Sequence, residues 1–193
     1  MNLNRSSRNQ FKMPSQMNIS GRSSSITAAF VASIIPRVEP SGEEIDTALK
    51  ILEMGTNAVK CAYCGDMATE WDHFRPIVKN KLPTGYITEI RNLVPSCGKC
   101  NQSKGNHYWK DWMLGTAPQC PNTRKIPDLD NKIRILEKYE NWGNVKPVNL
   151  ESLADPARWR QHWQNRQNLS DDMSAAQSHA NKIRDAIQQK LTD

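Results

Sequence analysis

Apolar and polar positions along the chain alternate between two periods, and the changes of period mark the elements. After Ser-Gly-Glu-Glu at 41–44, which has the form of a capping box with Ser41 as cap and Glu44 reaching back, Ile45, Ala48, Leu49 and Leu52 recur at helical spacing. That pattern predicts a helix to about Met54, stopped by Gly55. Glu70 to Phe74 reads as a short strand, and a second extended piece is expected near Leu93 and Val94. Pro76, Pro83 and Gly85 break the loop between them. The run GKCNQSK after Cys97 should open a helix that Gly105 ends or kinks, with Trp109, Trp112 and Met113 as apolar anchors beyond it.

Further on, Pro118, Pro121 and Pro127 make 114–129 read as a linker. Asn131 to Trp142 is expected to be helical, with Ile133, Leu136 and Tyr139 on one face and Gly143 as terminator. Asp155-Pro156 is a helix start, with Trp159 and Trp163 on one side, and Ser170 is expected to open the last helix. There Met173, Ala176, Ala180, Ile183, Ile187 and Leu191 step by threes and fours. Such a stripe serves either packing on its own domain or a dimer seam, so a homodimer is an open expectation.

Residues 1–25, rich in Ser, Asn and Arg without apolar periodicity, have the composition of a disordered basic arm. It would either hold phosphates or act as a solubilising tail. The net charge of +6 on 193 residues points weakly to an anionic partner, but its placement is more telling. No acidic residue precedes Glu39, while Arg5, Arg8, Lys12, Arg22 and Arg37 are all basic. No apolar run reaches the roughly 18–20 residues of a membrane span, so a cytoplasmic protein without a membrane partner is expected.

Five cysteines, four of them in two Cys-x-x-Cys pairs, fit metal ligation in a reducing compartment better than a disulfide framework. CAYC at 61–64 and PSCGKC at 95–100 supply Cys61, Cys64, Cys97 and Cys100. Two such pairs close a tetrahedral Zn²⁺ site and leave no position open for water, so the expected role is structural. Cys120 is read as a thiol outside that site. Between the knuckles lie Asp72 and His73 in WDH, then Asn92 in RNL, and Asn101 follows the last cysteine. These side chains can bind a hard divalent ion and activate a water.

Taken together, residues 60–113 resemble the HNH endonucleases, the ββα-metal nuclease group, in their zinc-stapled four-cysteine form. The resemblance implies an α+β, mainly helical chain: a small ββα-metal core stapled by zinc, with flanking helices. The corresponding division is an arm at 1–25, a nuclease core with its preceding helix at 26–113, a linker at 114–129 and a C-terminal helical region at 130–193. It also implies that His73 is the general base, that Asp72 binds the metal, and that Asn92 holds the imidazole and its loop. Asn101 stands where the family often has histidine. Its harder amide oxygen, paired with Asp72, favours Mg²⁺ or Mn²⁺ over a transition metal.

Lys104 and Arg75 are the candidate phosphate contacts. The expected function is a metal-dependent endonuclease that hydrolyses DNA, in all expectation double-stranded, to 5′-phosphate and 3′-hydroxyl ends, in a restriction or defence setting. Two alternatives stay open: a non-catalytic zinc-stabilised module that only binds nucleic acid, and an enzyme that cuts RNA.

Overall fold

The computed structural model describes residues 13–55 and 58–192. The first part of the basic arm, 1–12, lies outside the described residues. Its remainder is not a tail throughout: a 3-10 turn at Ile19–Arg22 leads into helix α1, Ser23–Ile34. The side chain of Asn18 accepts from the backbone of Ser20 and caps that turn.

Helix α2, Gly42–Ile51, starts where the capping box requires. Ser41 accepts from the Glu44 amide and Glu44 accepts from the Ser41 amide, so two otherwise orphaned donors are satisfied reciprocally. Strand β1, Glu70–His73, pairs antiparallel with β4, Leu93–Ser96, in a register that sets Asp72 opposite Val94 and His73 opposite Leu93. A second two-stranded ribbon, β2 (Val78–Lys79) with β3 (Leu82–Pro83), folds the intervening loop back on itself. Helix α3, Gly98–Lys104, follows β4 directly and packs on β1, which completes a β-β-α unit.

The core lies between this unit and two later helices, α4 (Trp109–Leu114) and α5 (Leu129–Asn141). Phe74, fully buried at the end of β1, stacks on Trp109 with ring centroids 5.1 Å apart and meets the edge of Tyr139 at 6.0 Å. Removing such a ring costs about 3–5 kcal/mol, so this triad is a large part of what seats α4 and α5 against the end of the strand. The Tyr139 hydroxyl reaches the carbonyls of Ile90 and Leu93, the latter at 2.8 Å, and ties α5 to the start of β4.

The stretch 114–129 is not a free linker. Cys120 and Pro121 are fully buried, and the Cys120 thiol donates to the Gly115 carbonyl at 3.1 Å. Three prolines in a short span mimic linker composition, but here they shape a compact turn against the core, which also takes up Ile126.

Beyond α5, the turn at Val148 donates its amide to the Gly85 carbonyl at 3.0 Å. Gly85 has φ +91°, and a Cβ there would meet the Val148 oxygen at 2.4 Å, so this approach needs glycine. A short helix α6, Leu150–Leu153, precedes α7, which runs unbroken from Pro156 to Thr192. Ser170 therefore lies inside one long helix instead of opening a new one; its carbonyl accepts from the Ser174 hydroxyl. α7 packs on α1 and the Ile19–Arg22 turn, with His162 against Phe30 at 5.1 Å, and none of its residues is fully buried.

Candidate active site

Each cysteine pair sits where the backbone turns sharply. In the first knuckle the Cys61 amide donates to the Asp66 carbonyl at 2.7 Å and the Gly65 amide to the Cys61 carbonyl at 2.8 Å. In the second, Cys97 caps α3 and Cys100 stands on its first turn. The two knuckles are held together by the Ala62 amide donating to the Pro95 carbonyl at 2.8 Å.

All four sulfurs lie within 4.8 Å of one another, and those of Cys64 and Cys97 are 3.7 Å apart. A tetrahedron with Zn–S bonds of about 2.3 Å has edges of about 3.8 Å, so the four donors fit a structural metal. Hydrogen bonds from Cys100 and Cys64 hold the Cys61 thiol far below its usual range, whereas Cys64, lowered by Cys100 but raised by Cys61 and by burial, is pushed up to about 12. Arg124, from the turn after α4, points one nitrogen at Cys100 Sγ (3.4 Å) and another at Asp66 (2.9 Å). Its charge offsets the negative sulfur cluster. Among the described residues these cysteines form the one cluster of three or more His, Cys, Asp or Glu side chains spaced to share an ion.

β1 carries the polar residues on its two faces. Glu70 and Asp72 project toward α3, while Trp71 and His73 alternate to the other side. Asp72 is buried, and its Oδ2 accepts from the Tyr63 hydroxyl at 2.6 Å and from Lys104 Nζ at 3.0 Å. Its Oδ1 accepts only from Lys104, at 3.2 Å, which leaves that oxygen a free lone pair. Burial raises the Asp72 carboxyl above its usual range despite Lys104, and burial lowers the Lys104 ammonium.

Asn101, on α3, donates Nδ2 to Glu70 Oε2 at 2.5 Å. A carboxylate only accepts, so this bond fixes which way the amide faces and leaves the carbonyl oxygen available to a cation. Gly98 makes room for Glu70: an added Cβ would come within 3.1 Å of its Oε1. Asp72 Oδ1 and the Asn101 carbonyl are thus hard oxygen donors of the kind Mg²⁺ or Mn²⁺ requires.

His73 places Nε2 at 2.8 Å from Thr88 Oγ1. Burial, reinforced by the positive charges of Lys104 and Arg37, lowers its pKa from 6.5 and keeps the imidazole neutral. Asn92 does not touch the ring. It accepts from the Arg75 amide at 2.8 Å and donates to the carbonyls of Arg75 (3.2 Å) and Ile87 (3.1 Å). It thereby pins the loop that delivers Thr88 to the imidazole.

Asp72 and Asn101 therefore lie along the contact of β1 with α3, His73 lies on the other face of β1 beside Thr88, and Asn92, just before β4, secures the loop that carries Thr88. Lys104 and Arg75 are used differently from their reading as phosphate contacts. Lys104 is fully buried, with Nζ on Asp72 and on the His73 carbonyl at 2.9 Å. Arg75 is also buried, donates to the Glu140 carbonyl at 2.6 Å, and lies over the Phe74 and Tyr86 rings. Both serve the interior. A helix of 3.6-residue period carries Lys104 to the same side as Cys100, toward β1, which sequence spacing alone already permits.

Residues that sequence reasoning passed over are Tyr63, Glu70, Thr88 and Arg124. Glu70 had a legible sign, two positions before Asp72 on one strand face. Thr88 and Arg124 depend on loop paths that no local pattern reveals.

A two-stranded antiparallel sheet with one helix, a four-cysteine cluster and an Asp-His pair on the first strand is a ββα-metal type of core. Residues 61–107, about a quarter of the chain, match the HNH endonuclease family. Over 62 residues it is 39% identical to the CRISPR-associated endonuclease Cas9 of Corynebacterium diphtheriae, a match covering 30% of this chain and 5% of that protein. Over 65 residues it is 40% identical to the Septu protein PtuB of Bacillus thuringiensis, covering 31% of this chain and 23% of the relative. The chain thus spans less than a quarter of either relative's length. No solved structure matches it. No helix of the described residues is long and apolar enough to cross a membrane.

Proposed function

We propose that this chain is a divalent-metal-dependent endonuclease that hydrolyses DNA phosphodiester bonds to 5′-phosphate and 3′-hydroxyl ends, with Zn²⁺ in the four-cysteine staple and Mg²⁺ or Mn²⁺ as the working ion. The observation that carries it is the neutral His73 imidazole, held at Nε2 by Thr88, on the strand that bears Asp72.

With Nε2 engaged, Nδ1 is the nitrogen that takes a proton from the attacking water. Asp72 and Asn101 hold the divalent ion, which when bound stabilises charge on the phosphoryl group and the leaving oxygen. Glu70 keeps the Asn101 carbonyl turned outward by accepting from its amide nitrogen. Asn92 keeps the Thr88 loop in register with β1, so the base cannot swing away.

A restriction or defence setting is supported by the name of one relative, which is CRISPR-associated. Five unpaired cysteines fit a reducing, cytoplasmic location. Cutting both strands of duplex DNA calls for two such sites or for successive nicks by one, and exposed Ile183, Ile187 and Leu191 on α7 give a second copy an apolar stripe to pair with.

One observation favours the non-catalytic reading: Asp72 already has a resident cation in Lys104. Incubation with supercoiled plasmid separates the two. Cutting that needs Mg²⁺, stops with EDTA and is lost in His73→Ala is the expected result. DNA binding without cutting under Mg²⁺ or Mn²⁺ would overturn the nuclease in favour of a binding module, and cutting of RNA alone would move the substrate class.

A further inference from the structure

Tyr63 occupies the two-residue spacer of the first knuckle, between two metal-binding cysteines, and is fully buried. Its hydroxyl donates to Asp72 Oδ2 at 2.6 Å, the one hydrogen bond it makes. We propose that Tyr63 is a positioning residue for the catalytic ion: the metal staple fixes its phenol, and the phenol fixes the carboxylate that holds the ion. The inference rests on Asp72 being a ligand of that ion.

Three features carry it. The ring cannot retreat, because its edge meets Trp112 at 5.2 Å and Trp112 in turn donates Nε1 to Ser103 of α3 at 3.0 Å. The knuckle cannot slide, because Ala62, next to Tyr63, donates its amide to Pro95 of β4 at 2.8 Å. A buried phenol needs an acceptor, and Asp72 is the one it has, so the bond is obligatory for Tyr63.

Oδ2 is consequently committed to Tyr63 and Lys104, and Oδ1 is the oxygen turned to an ion. Without the phenol, Lys104, which already reaches both oxygens, is the one remaining donor to the carboxylate among the described residues, and the carboxylate is free to turn about its own axis. The structural staple and the working site are then one mechanical unit rather than two neighbours. Hydrogen-bonded partners of metal-ligating side chains change metal affinity or activity by about 10–100-fold when removed.

The test uses the full zinc-loaded chain. Mn²⁺ binding is measured by calorimetry on the unmodified chain, Tyr63→Phe and Asp72→Asn, alongside zinc content and melting temperature. Tyr63→Phe keeps the ring on Trp112, so it is expected to hold its zinc while binding Mn²⁺ about 10-fold more weakly. Its plasmid cutting should recover as Mg²⁺ is raised. Wild-type Mn²⁺ affinity in Tyr63→Phe, with affinity lost in Asp72→Asn, overturns the role of Tyr63 and leaves the metal assignment standing. Wild-type affinity in both variants overturns the assignment of Asp72 and the inference with it.

If Tyr63→Phe loses its zinc, the unmodified chain labelled with fluorotyrosine gives the answer instead. Its four tyrosines include Tyr63, whose fluorine resonance should move on adding Mg²⁺; four unmoved resonances overturn the inference.

Discussion

Replacing Lys104 by Met tests the interior of the site directly. The ammonium is fully buried, 3.0 Å and 3.2 Å from the two Asp72 oxygens and 2.9 Å from the His73 carbonyl. At an effective dielectric of about 20, unit charges about 3 Å apart attract by about 5–6 kcal/mol, which desolvation of both groups largely cancels. Removing one partner leaves the desolvation cost without the attraction, so Lys104→Met should destabilise the fold by about 3–5 kcal/mol. That is a large part of the roughly 5–15 kcal/mol that holds a domain together.

The double variant Lys104→Met with Asp72→Asn removes both charges. It should recover most of the loss, to within about 1–2 kcal/mol of the unmodified chain. Urea unfolding of the zinc-loaded proteins, followed by tryptophan fluorescence, measures all three free energies. The refuting result is specific: Lys104→Met within about 0.5 kcal/mol of the unmodified chain, with a salt dependence of DNA binding weakened by about one phosphate. Lys104 would then be a phosphate contact on the surface after all.

Asn92→Asp is nearly isosteric, yet it sets an acceptor-only group against the carbonyls of Arg75 and Ile87. It should cost about 2–4 kcal/mol in the same unfolding assay, and unchanged stability would refute the loop-pinning role. Cys97→Ser should abolish stoichiometric zinc binding and cooperative melting, whereas Cys120→Ser should keep its zinc, as checked by metal analysis and calorimetry. For His73 the sign follows from its lowered pKa: the neutral base persists below pH 6.5, and cutting is lost only as pH falls through the lowered value. Arg37→Gln removes one of the charges that lower it, so the acid limb of the rate profile should move up toward 6.5; a downward or absent shift refutes the coupling.

The local elements were largely legible. The capping box at Ser41 and Glu44, the apolar face of Ile133, Leu136 and Tyr139, and the paired cysteines each carry their own physical code within a few residues. What escaped depends on tertiary context. A lysine three positions after Asn101 on a short helix looks like an exposed cation until the strand it faces is known to hold a carboxylate. Prolines at 118, 121 and 127 look like a linker until Cys120 is seen to close the turn on Gly115 and Arg124 to reach Cys100 of the metal cluster. Ser170 has the residue type of a cap, yet α7 runs straight through it, because polar side chains serve at caps and in exposed helix interiors alike. α1 has too little amphipathic contrast to announce itself against its Ser-rich surroundings.

The two knuckles bracket the chemistry in sequence as well as in space. Cys64 and Cys97 are 33 residues apart, and Asp72, His73, Thr88 and Asn92 all lie between them. Bringing the ends of such a loop together costs about 3 kcal/mol in chain entropy, and β1 and β4, four residues each, have little pairing energy to set against it. An ion held by both knuckles would supply that closure, so on the proposed function the metal's supply would govern what share of newly made polypeptide has its site assembled.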